Sequence, residues 1–378
     1  FAIIAANTET LAEWYEHFKH LPVGITFGDG NYSFSLAHFV NDGLMAVFFL
    51  LVGLEIKREF LTGELSNRQQ ALLPAFAAAG GMAVPALIYA GFNWGDSVAM
   101  RGWAIPTATD IAFSLGVLSL LGARVPLAVK VFLTAVAIID DLGAIAIIAV
   151  FYTDTLHFGA LGMAVLMIFV LFWMNRHVRT ISPYMLAFIV LWACVIQSGI
   201  HATLAGVAVA LAVPLRVGES GSEKQQSSPP LITMEHNLHS VVTFLIVPLF
   251  AFVNAGVSFR DVSTSMLFNS IPLGITLGLL IGKVIGISAA VWLAIKLGVA
   301  AMPNGCRWPG MVGISMLCGI GFTVSLFIGN LSFSDEALIN LVKIGVLLGS
   351  TAAGICGFLL LRFFAFRHRP QATTAPVA

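Results

Sequence analysis

Apolar stretches long enough to cross a bilayer follow one another along this chain almost without pause, each closed by Gly, Pro, Asn or charged residues. A helix spanning the hydrocarbon core needs about 20 mostly apolar residues. The pattern predicts eleven spans, at 36–60, 69–91, 103–121, 127–152, 157–174, 183–199, 201–215, 238–256, 270–297, 308–330 and 336–364. Those at 183–199 and 201–215 are short and barely separated. The chain opens on an apolar stub, FAIIAAN, with no initiator Met, which predicts a twelfth span whose beginning precedes Phe1. Between stub and first full span, Val23, Ile25 and Phe27 alternate with small or polar residues, GDGN turns, and Tyr32 and Phe34 alternate again. That predicts a short β-hairpin at 23–35. The stretch 217–230, VGESGSEKQQSSPP, reads as a polar linker.

Composition agrees with this pattern. Hydrophobic residues make up 58% of the 378 positions, charged residues only 10%, and mean hydropathy is +0.93, whereas soluble domains carry about 25% charged residues. The expectation is one all-α transmembrane domain over 1–378, embedded in a lipid bilayer. A formal net charge of zero gives no reason to expect a nucleic-acid partner. The distribution of charge is more informative. Fourteen of the nineteen Lys and Arg residues fall on one side of the threaded spans, among them Lys57, Arg58, Arg124, Arg176, Arg307 and Arg362. Only Lys19, Arg101 and Arg260 fall on the other, and Lys283 and Lys343 lie inside spans. Positive charge marks cytoplasmic loops, so the C-terminus is expected in the cytoplasm, as is the N-terminus of a twelve-span chain. Cys194, Cys306, Cys318 and Cys356 are scattered singly, which indicates neither a zinc site nor a disulfide framework. No cofactor is expected.

A charged side chain at bilayer depth costs about 2.5–3.5 kcal/mol even on a lenient scale, so such residues are functional candidates. Asp110, Asp140, Asp141 and Lys283 qualify. Asp140 and Asp141 lie mid-span in TAVAIIDDLGAIAIIAVFY. Neighbouring residues on a helix diverge by about 100°, so the two carboxylates can share a cavity but not act as one bidentate ligand. Such a pair titrates as a unit. In AIPTATDIAFSLGVL, Pro106, Thr107 and Thr109 precede Asp110. Pro removes a backbone donor and Thr hydroxyls take up freed groups, which predicts a helix broken where it lines a cavity. Gly319 and Gly321 in SMLCGIGFTVSLF suggest a second break, and paired breaks in the two halves of a chain point to a transport site. Lys283 is too deep to reach either interface easily and needs a carboxylate partner, a helix C-terminus or a neutral form; Asp140 is the candidate partner. Glu55, Lys57, Arg58 and Glu59 read as a charged rim at a helix end. His201 and Glu235 are candidate pH-responsive groups.

The segments FFLLVGLEIKREFLTGEL, AIPTATDIAFSLGVL, AVAIIDDLGAIAIIAVFY, SGIHATLAGV, PLFAFVNAGV and GIGFTVSLFIGNL resemble those of the bacterial NhaA-type sodium/proton antiporters, in the same order from Leu36 to the last span. The resemblance implies twelve spans in inverted repeats, with the helices at 103–121 and 308–330 broken and crossing. It implies that Asp110 faces the positive half-helix ends and Lys283 the negative ones. It gives Asp141 as principal ligand of Na+ or Li+, Asp140 as a second proton carrier paired with Lys283, and Thr109 close by. Glu55, Arg58, Glu59, His201 and Glu235 match positions of pH regulation around a cytoplasmic funnel. Exchange of two protons per sodium at a bacterial inner membrane, for sodium efflux and pH homeostasis, and a homodimer joined by the hairpin complete what the resemblance implies. The residues themselves argue against two rivals. An intramembrane aspartyl protease needs a G-x-G-D motif, absent here, and a channel needs a continuous polar pore. A symporter is left open by residue physics alone; no enzyme activity is expected.

Overall fold

The computed structural model describes residues 1–27, 30–153, 157–215, 229–258 and 264–365. Two short helices, α1 (Ala2–Asn7) and α2 (Glu9–His20), precede strands β1 (Pro22–Phe27) and β2 (Gly30–Ser35). The strands pair antiparallel with Val23 opposite Phe34 and Ile25 opposite Tyr32, as the alternation predicts. Leu36 N–H donates to the Leu21 carbonyl at 2.8 Å and closes the base of the hairpin. Most of the linker read at 217–230 lies outside the described residues.

Among the described residues, seven helices are long and apolar enough to cross a membrane: α3 (Leu36–Thr62), α4 (Arg68–Phe92), α6 (Leu127–Phe151), α7 (Phe158–His177), α10 (Pro230–Asn254), α11 (Ser270–Lys296) and α14 (Glu336–Phe363). Between α4 and α6 runs a 3-10 segment, Ala99–Thr107, followed by α5 (Ile111–Ser119). Helices α12 (Trp308–Leu317) and α13 (Phe322–Ser332) form one pair bent by 46°. The shorter α8 (Ser182–Ser198) and α9 (Thr203–Ala212) are also apolar. The chain is thus a multi-pass membrane protein.

Local chemistry explains the boundaries. Side chains of Asn67, Asn269 and Asp335 accept from backbone N–H groups of the first turns of α4, α11 and α14. Gly199 ends α8 at φ 82°, a left-handed conformation that only glycine adopts cheaply, and this separates α8 from α9. The span read at 238–256 begins earlier, at Pro230. Glu235, His236 and His239 lower the hydropathy of its first turns without interrupting the helix.

Contacts at the helix ends sort them onto two faces. On the hairpin face, Tyr152 donates to the Arg101 carbonyl at 2.7 Å and His157 N–H to the Ser198 carbonyl at 3.0 Å. On the opposite face, Lys57 of α3 donates to the carbonyls of Leu211 and Val213, each at 2.6 Å. Lys57 therefore caps the C-terminus of α9, a structural task beyond the solvated rim that its sequence position suggests. Helix α6 is the most enclosed of the long spans, with 61% of its apolar window buried against 17% for α7. Its centre is the centre of the bundle.

Close approach of α4 and α11 depends on Gly80 and Gly286, where an added Cβ would overlap the facing helix's carbonyl oxygen. This is small-residue packing between membrane helices. Gly286→Val is expected to destabilise the protein by about 1–3 kcal/mol through overpacking, read as a lowered thermal unfolding temperature in detergent; an unchanged temperature would mean the helices have room to separate.

Candidate ion-binding site

The two breaks foreseen at Pro106 and at Gly319–Gly321 meet inside the bundle. The 3-10 segment ends at Thr107, residues Ala108–Asp110 are non-helical, and α5 starts at Ile111. In the second strand of the crossing, α12 stops at Leu317 and α13 resumes at Phe322. Asp110 N–H donates to the Ile320 carbonyl at 2.6 Å, so each interruption satisfies the other's backbone. Further freed groups are taken up by hydroxyls. Ser114 donates to the Leu317 carbonyl and Ser325 to the Ile105 carbonyl, both at 2.8 Å. Ser350 Oγ accepts from the N–H groups of Gly321 and Phe322, each at 3.2 Å. A side chain at Gly319 would overlap the Leu279 carbonyl oxygen, which explains why a glycine stands there.

Asp110 joins the two helix starts. Its Oδ1 accepts from Phe113 N–H at 3.1 Å, capping α5, and its Oδ2 accepts from Thr323 N–H at 3.1 Å and from the Thr323 hydroxyl, capping α13. A negative charge at two helix N-termini complements both dipoles. Lys283 works at the other polarity. It is fully buried, and its ammonium uses all three donors: on the Thr107 carbonyl at 2.6 Å, on Thr109 Oγ1 at 2.9 Å and on Asp140 Oδ2 at 2.6 Å. The Thr107 carbonyl is the end of the 3-10 half-helix, a negative pole. Of the ways to accommodate a deep lysine, the structure shows two at once, the candidate partner Asp140 and a half-helix end at Thr107. A π-helical turn, Gly278–Gly282, immediately precedes Lys283; such turns gather at functional sites.

The neighbouring carboxylates of α6 face different surroundings. Asp140 is 1% exposed, bound by Lys283 and by Thr109 Oγ1 at 2.7 Å, while its Oδ1 has no hydrogen-bond partner among the described residues. Thr109 Oγ1 also lies 2.8 Å from the Cys318 carbonyl and so ties the site to the second break. Asp141 has no hydrogen bond or ion pair among the described residues. It lines a cavity of about 340 Å³ together with Asp110, Thr323, Glu55, Arg58 and His239. The 100° turn between adjacent helix positions thus puts one acid in a closed ion pair and leaves the other open to a cavity.

The rim of that cavity brings together four of the residues matched to pH regulation. Arg58 Nε lies 3.0 Å from both Glu235 oxygens, and its Nη1 lies 2.6 Å from Glu59 Oε1. Glu55 Oε1 lies 3.8 Å from His239 Nδ1. His239 was not singled out from sequence; its spacing from Glu235, one helical turn, is the signal that could have found it. His201 is not part of this group. It precedes α9 near the hairpin face, within electrostatic reach of Asp42, and its Nε2 is buried without a partner among the described residues. Placing His201 with the others around one funnel therefore does not hold, because α9 runs from the hairpin face to Lys57 and carries His201 at the far end.

Three asparagines also escaped the sequence reading. Asn254 Nδ2 donates to Asn41 Oδ1 at 2.8 Å, and Asn330 Nδ2 donates to Asn254 Oδ1 at 2.7 Å. Uncharged amides near span ends carry no penalty large enough to mark them in a sequence.

Comparison with known proteins agrees with this geometry. The model of a family described as Na+/H+ antiporter 1 matches residues 1–361. The chain is similar to proteins named Na(+)/H(+) antiporter NhaA from several bacteria. Identity is 54% over 365 residues with that of Albidiferax ferrireducens, covering 95% of this chain and 91% of the relative. It is 53% over 367 residues for Rhodospirillum rubrum, covering 96% and 91%. For Psychrobacter arcticus it is 50% over 362 residues, covering 96% and 89%. With broken helices crossing at a buried carboxylate pair and a match that runs nearly end to end, this chain belongs to the Na+/H+ antiporter family.

Proposed function

We propose that the chain exchanges Na+ or Li+ for H+ across the bacterial inner membrane, with Asp141 as the principal cation ligand and the Asp140–Lys283 pair as the second proton carrier. One observation carries this reading: Asp141 stands unbonded on the cavity wall, beside a partner acid already neutralised by a lysine. A cation entering the cavity meets Asp141 first and competes with a proton for it. Drawing Asp140 into the coordination breaks its ion pair, and that pair holds one transferable proton, whichever member releases it. Protonated and sodium-loaded forms are both tolerable in a low-dielectric interior, whereas the empty dianion is not. Coupling follows because only loaded forms change access. Asp110 and Lys283 hold the crossing together, and Thr109 links it to Asp140.

Two titrating positions support two protons per sodium, so one net positive charge enters for each sodium expelled. Such exchange would serve sodium efflux and internal pH homeostasis. The charge cluster of Glu55, Arg58, Glu59 and Glu235 at the cavity rim supports pH regulation at the entrance; His201, at the other end of α9, would act separately through Asp42. Twelve crossings in inverted repeats, both termini in the cytoplasm and a homodimer joined through β1 and β2 complete the proposal, supported by family membership and by the bias of Lys and Arg to the face opposite the hairpin.

The experiment is a sodium pulse on proteoliposomes with an internal pH probe and a potassium–valinomycin clamp of the membrane voltage. Proton movement should reverse at the voltage required by a ratio of two. A voltage-independent reversal would mean one proton per sodium and would remove the pair from the proton count; no proton movement would overturn exchange itself.

A further inference from the structure

A groove of about 360 Å³ meets the crossing of the broken helices without sharing a residue with the Asp141 cavity. Helix α5 lines it with Phe113 and Val117, and the middle of α14 lines it with Leu347, Thr351, Gly354 and Ile355. The interruption between α12 and α13 adds Ile320 and Phe322. The rings of Phe113 and Phe322 meet edge to face, 4.8 Å between centroids. The groove is open on its outer side, where Phe113 is 43% and Ile355 56% exposed. Its hydroxyls are those of Ser350 and Thr351, and Ser350 Oγ already accepts from Gly321 N–H and Phe322 N–H. Ordered water needs two to four polar partners, and apolar cavities of about 150 Å³ stay dry and accept benzene. A larger hollow of this kind at bilayer depth calls for hydrocarbon. Gly354 keeps it open: a Cβ there would meet only the Ile320 side chain, at an ordinary 3.4 Å.

The same two helices lead from the groove to a pair of arginines. On α14, Thr351, Gly354, Ile355, Phe358 and Arg362 follow one another at helical spacing along one stripe. Arg362 Cζ lies 5.8 Å from the ring centroids of Phe358 and Phe363, so the guanidinium rests on aromatic faces at the end of the span. It stands seven positions beyond Ile355, about 10 Å along a helix. Past the end of α5, Arg124 stands seven positions beyond Val117. Both arginines are exposed, and neither has a carboxylate partner among the described residues. Both lie on the face opposite the hairpin. Helix α14 starts at the hairpin face, where Glu336 shares a cavity with Glu16 and Lys19, and α5 runs away from the 3-10 segment whose Arg101 is on that face.

We propose that this groove binds one acyl chain of an anionic phospholipid from the leaflet opposite the hairpin, whose phosphate is held by Arg124 and Arg362. Charge and depth both fit. Two unpaired cations complement a phosphate at the membrane surface, and half of the roughly 30 Å hydrocarbon core is enough for a chain anchored there to reach Phe113 and Ile320. The groove continues the lipid-facing surface of the spans inward to the crossing itself. Its occupant packs on Phe113, whose N–H bonds Asp110, and on Phe322, whose N–H bonds Ser350. The chain thereby braces the starts of α5 and α13 from outside, as Asp110 does from inside. This binding goes beyond the exchange reading and stands independently of it.

The test is photolabelling of the whole chain in proteoliposomes with a trace of phosphatidylglycerol carrying a diazirine midway along one acyl chain, the adducts being located by peptide mass spectrometry. Yield per exposed residue at 113–117 and 347–355 should exceed that on α7, whose Phe169 and Phe172 are 66% and 68% exposed, by about fivefold or more. Equal yields would mean unspecific contact with bulk lipid and would overturn the site. Labelling of α7 with none in the groove would mean that a second copy or another protein covers it, which overturns the site as well. Gly354→Phe, which fills the groove, should cut its adducts by about fivefold and leave those on α7 unchanged. The double variant Arg124→Gln, Arg362→Gln leaves the groove intact and should cut them by about threefold, while phosphatidylcholine bearing the same probe, weakly captured by the unmodified protein, should show no such drop. Full labelling of the groove in either variant overturns the proposal.

Discussion

Replacing Asp141 with Asn is expected to lower sodium-driven proton movement in proteoliposomes by about a hundredfold or more while leaving the thermal unfolding temperature nearly unchanged. The two halves of this expectation have different sources. Asp141 has no hydrogen bond or ion pair to lose among the described residues, and an amide of the same size fills the same place on the wall of the Asp141 cavity, so stability should hardly move. Removing its charge, however, takes away both the attraction for a cation in a poorly screened cavity and the group that trades it for a proton. A loss of about 3 kcal/mol of charge interaction is modest for such surroundings and already amounts to a hundredfold. Full exchange by the variant would move the cation site to Asp140 or Asp110. A large drop in unfolding temperature would show that Asp141 has a structural partner in the membrane.

Lys283→Met should do the reverse and strike at stability first. The ammonium makes three buried hydrogen bonds at once, to Thr107, Thr109 and Asp140. Removing it leaves a carboxylate at 1% exposure without its counter-charge and a half-helix end without its donor. Breaking a buried pair in this way costs about 3–5 kcal/mol, whereas replacing both partners by neutral groups is often close to neutral. Lys283→Met is therefore expected to unfold at a clearly lower temperature, and the double variant with Asp140→Asn to recover much of the loss. If the double variant is no more stable than the single one, the three contacts of Lys283 matter through the crossing at Thr107 and not through the ion pair.

The chemistry of the site was legible in the sequence because the bilayer makes buried charge expensive. Asp110, Asp140, Asp141 and Lys283 stand out against apolar spans for that reason; depth made Asp140 a candidate partner for Lys283, and the packing of α6 against α11 selects it over the other two acids. The breaks were legible through Pro106, Gly319 and Gly321, residues whose backbone behaviour is distinctive. What escaped is what carries no such penalty. Ser114, Ser325 and Ser350 bond freed backbone groups at the crossing, yet serine is common in membrane helices and any one of them looks unremarkable in sequence. The row formed by Asn41, Asn254 and Asn330 exists only once three distant spans pack together. The first turns of α10 read as loop because Glu235, His236 and His239 are polar, although their helix borders a water-accessible cavity where polar residues are cheap. His201 shows the opposite failure: a resemblance assigned it a shared neighbourhood, and only the direction of α9 separates it from Glu55 and Arg58.

Two consecutive residues near the end of α3 fasten it to different partners. Lys57 holds the final carbonyls of α9, and Arg58 holds Glu235 of α10. Helix α3 is thereby a common strut between two helices that also meet directly, where Leu231 N–H donates to the Pro214 carbonyl at 3.2 Å, and a tilt of α10 pulls on α9 through both links. Because Asn41 lies at the other end of the same strut, force applied beside Glu235 has a lever arm the full length of α3 with which to reach the opposite side of the membrane.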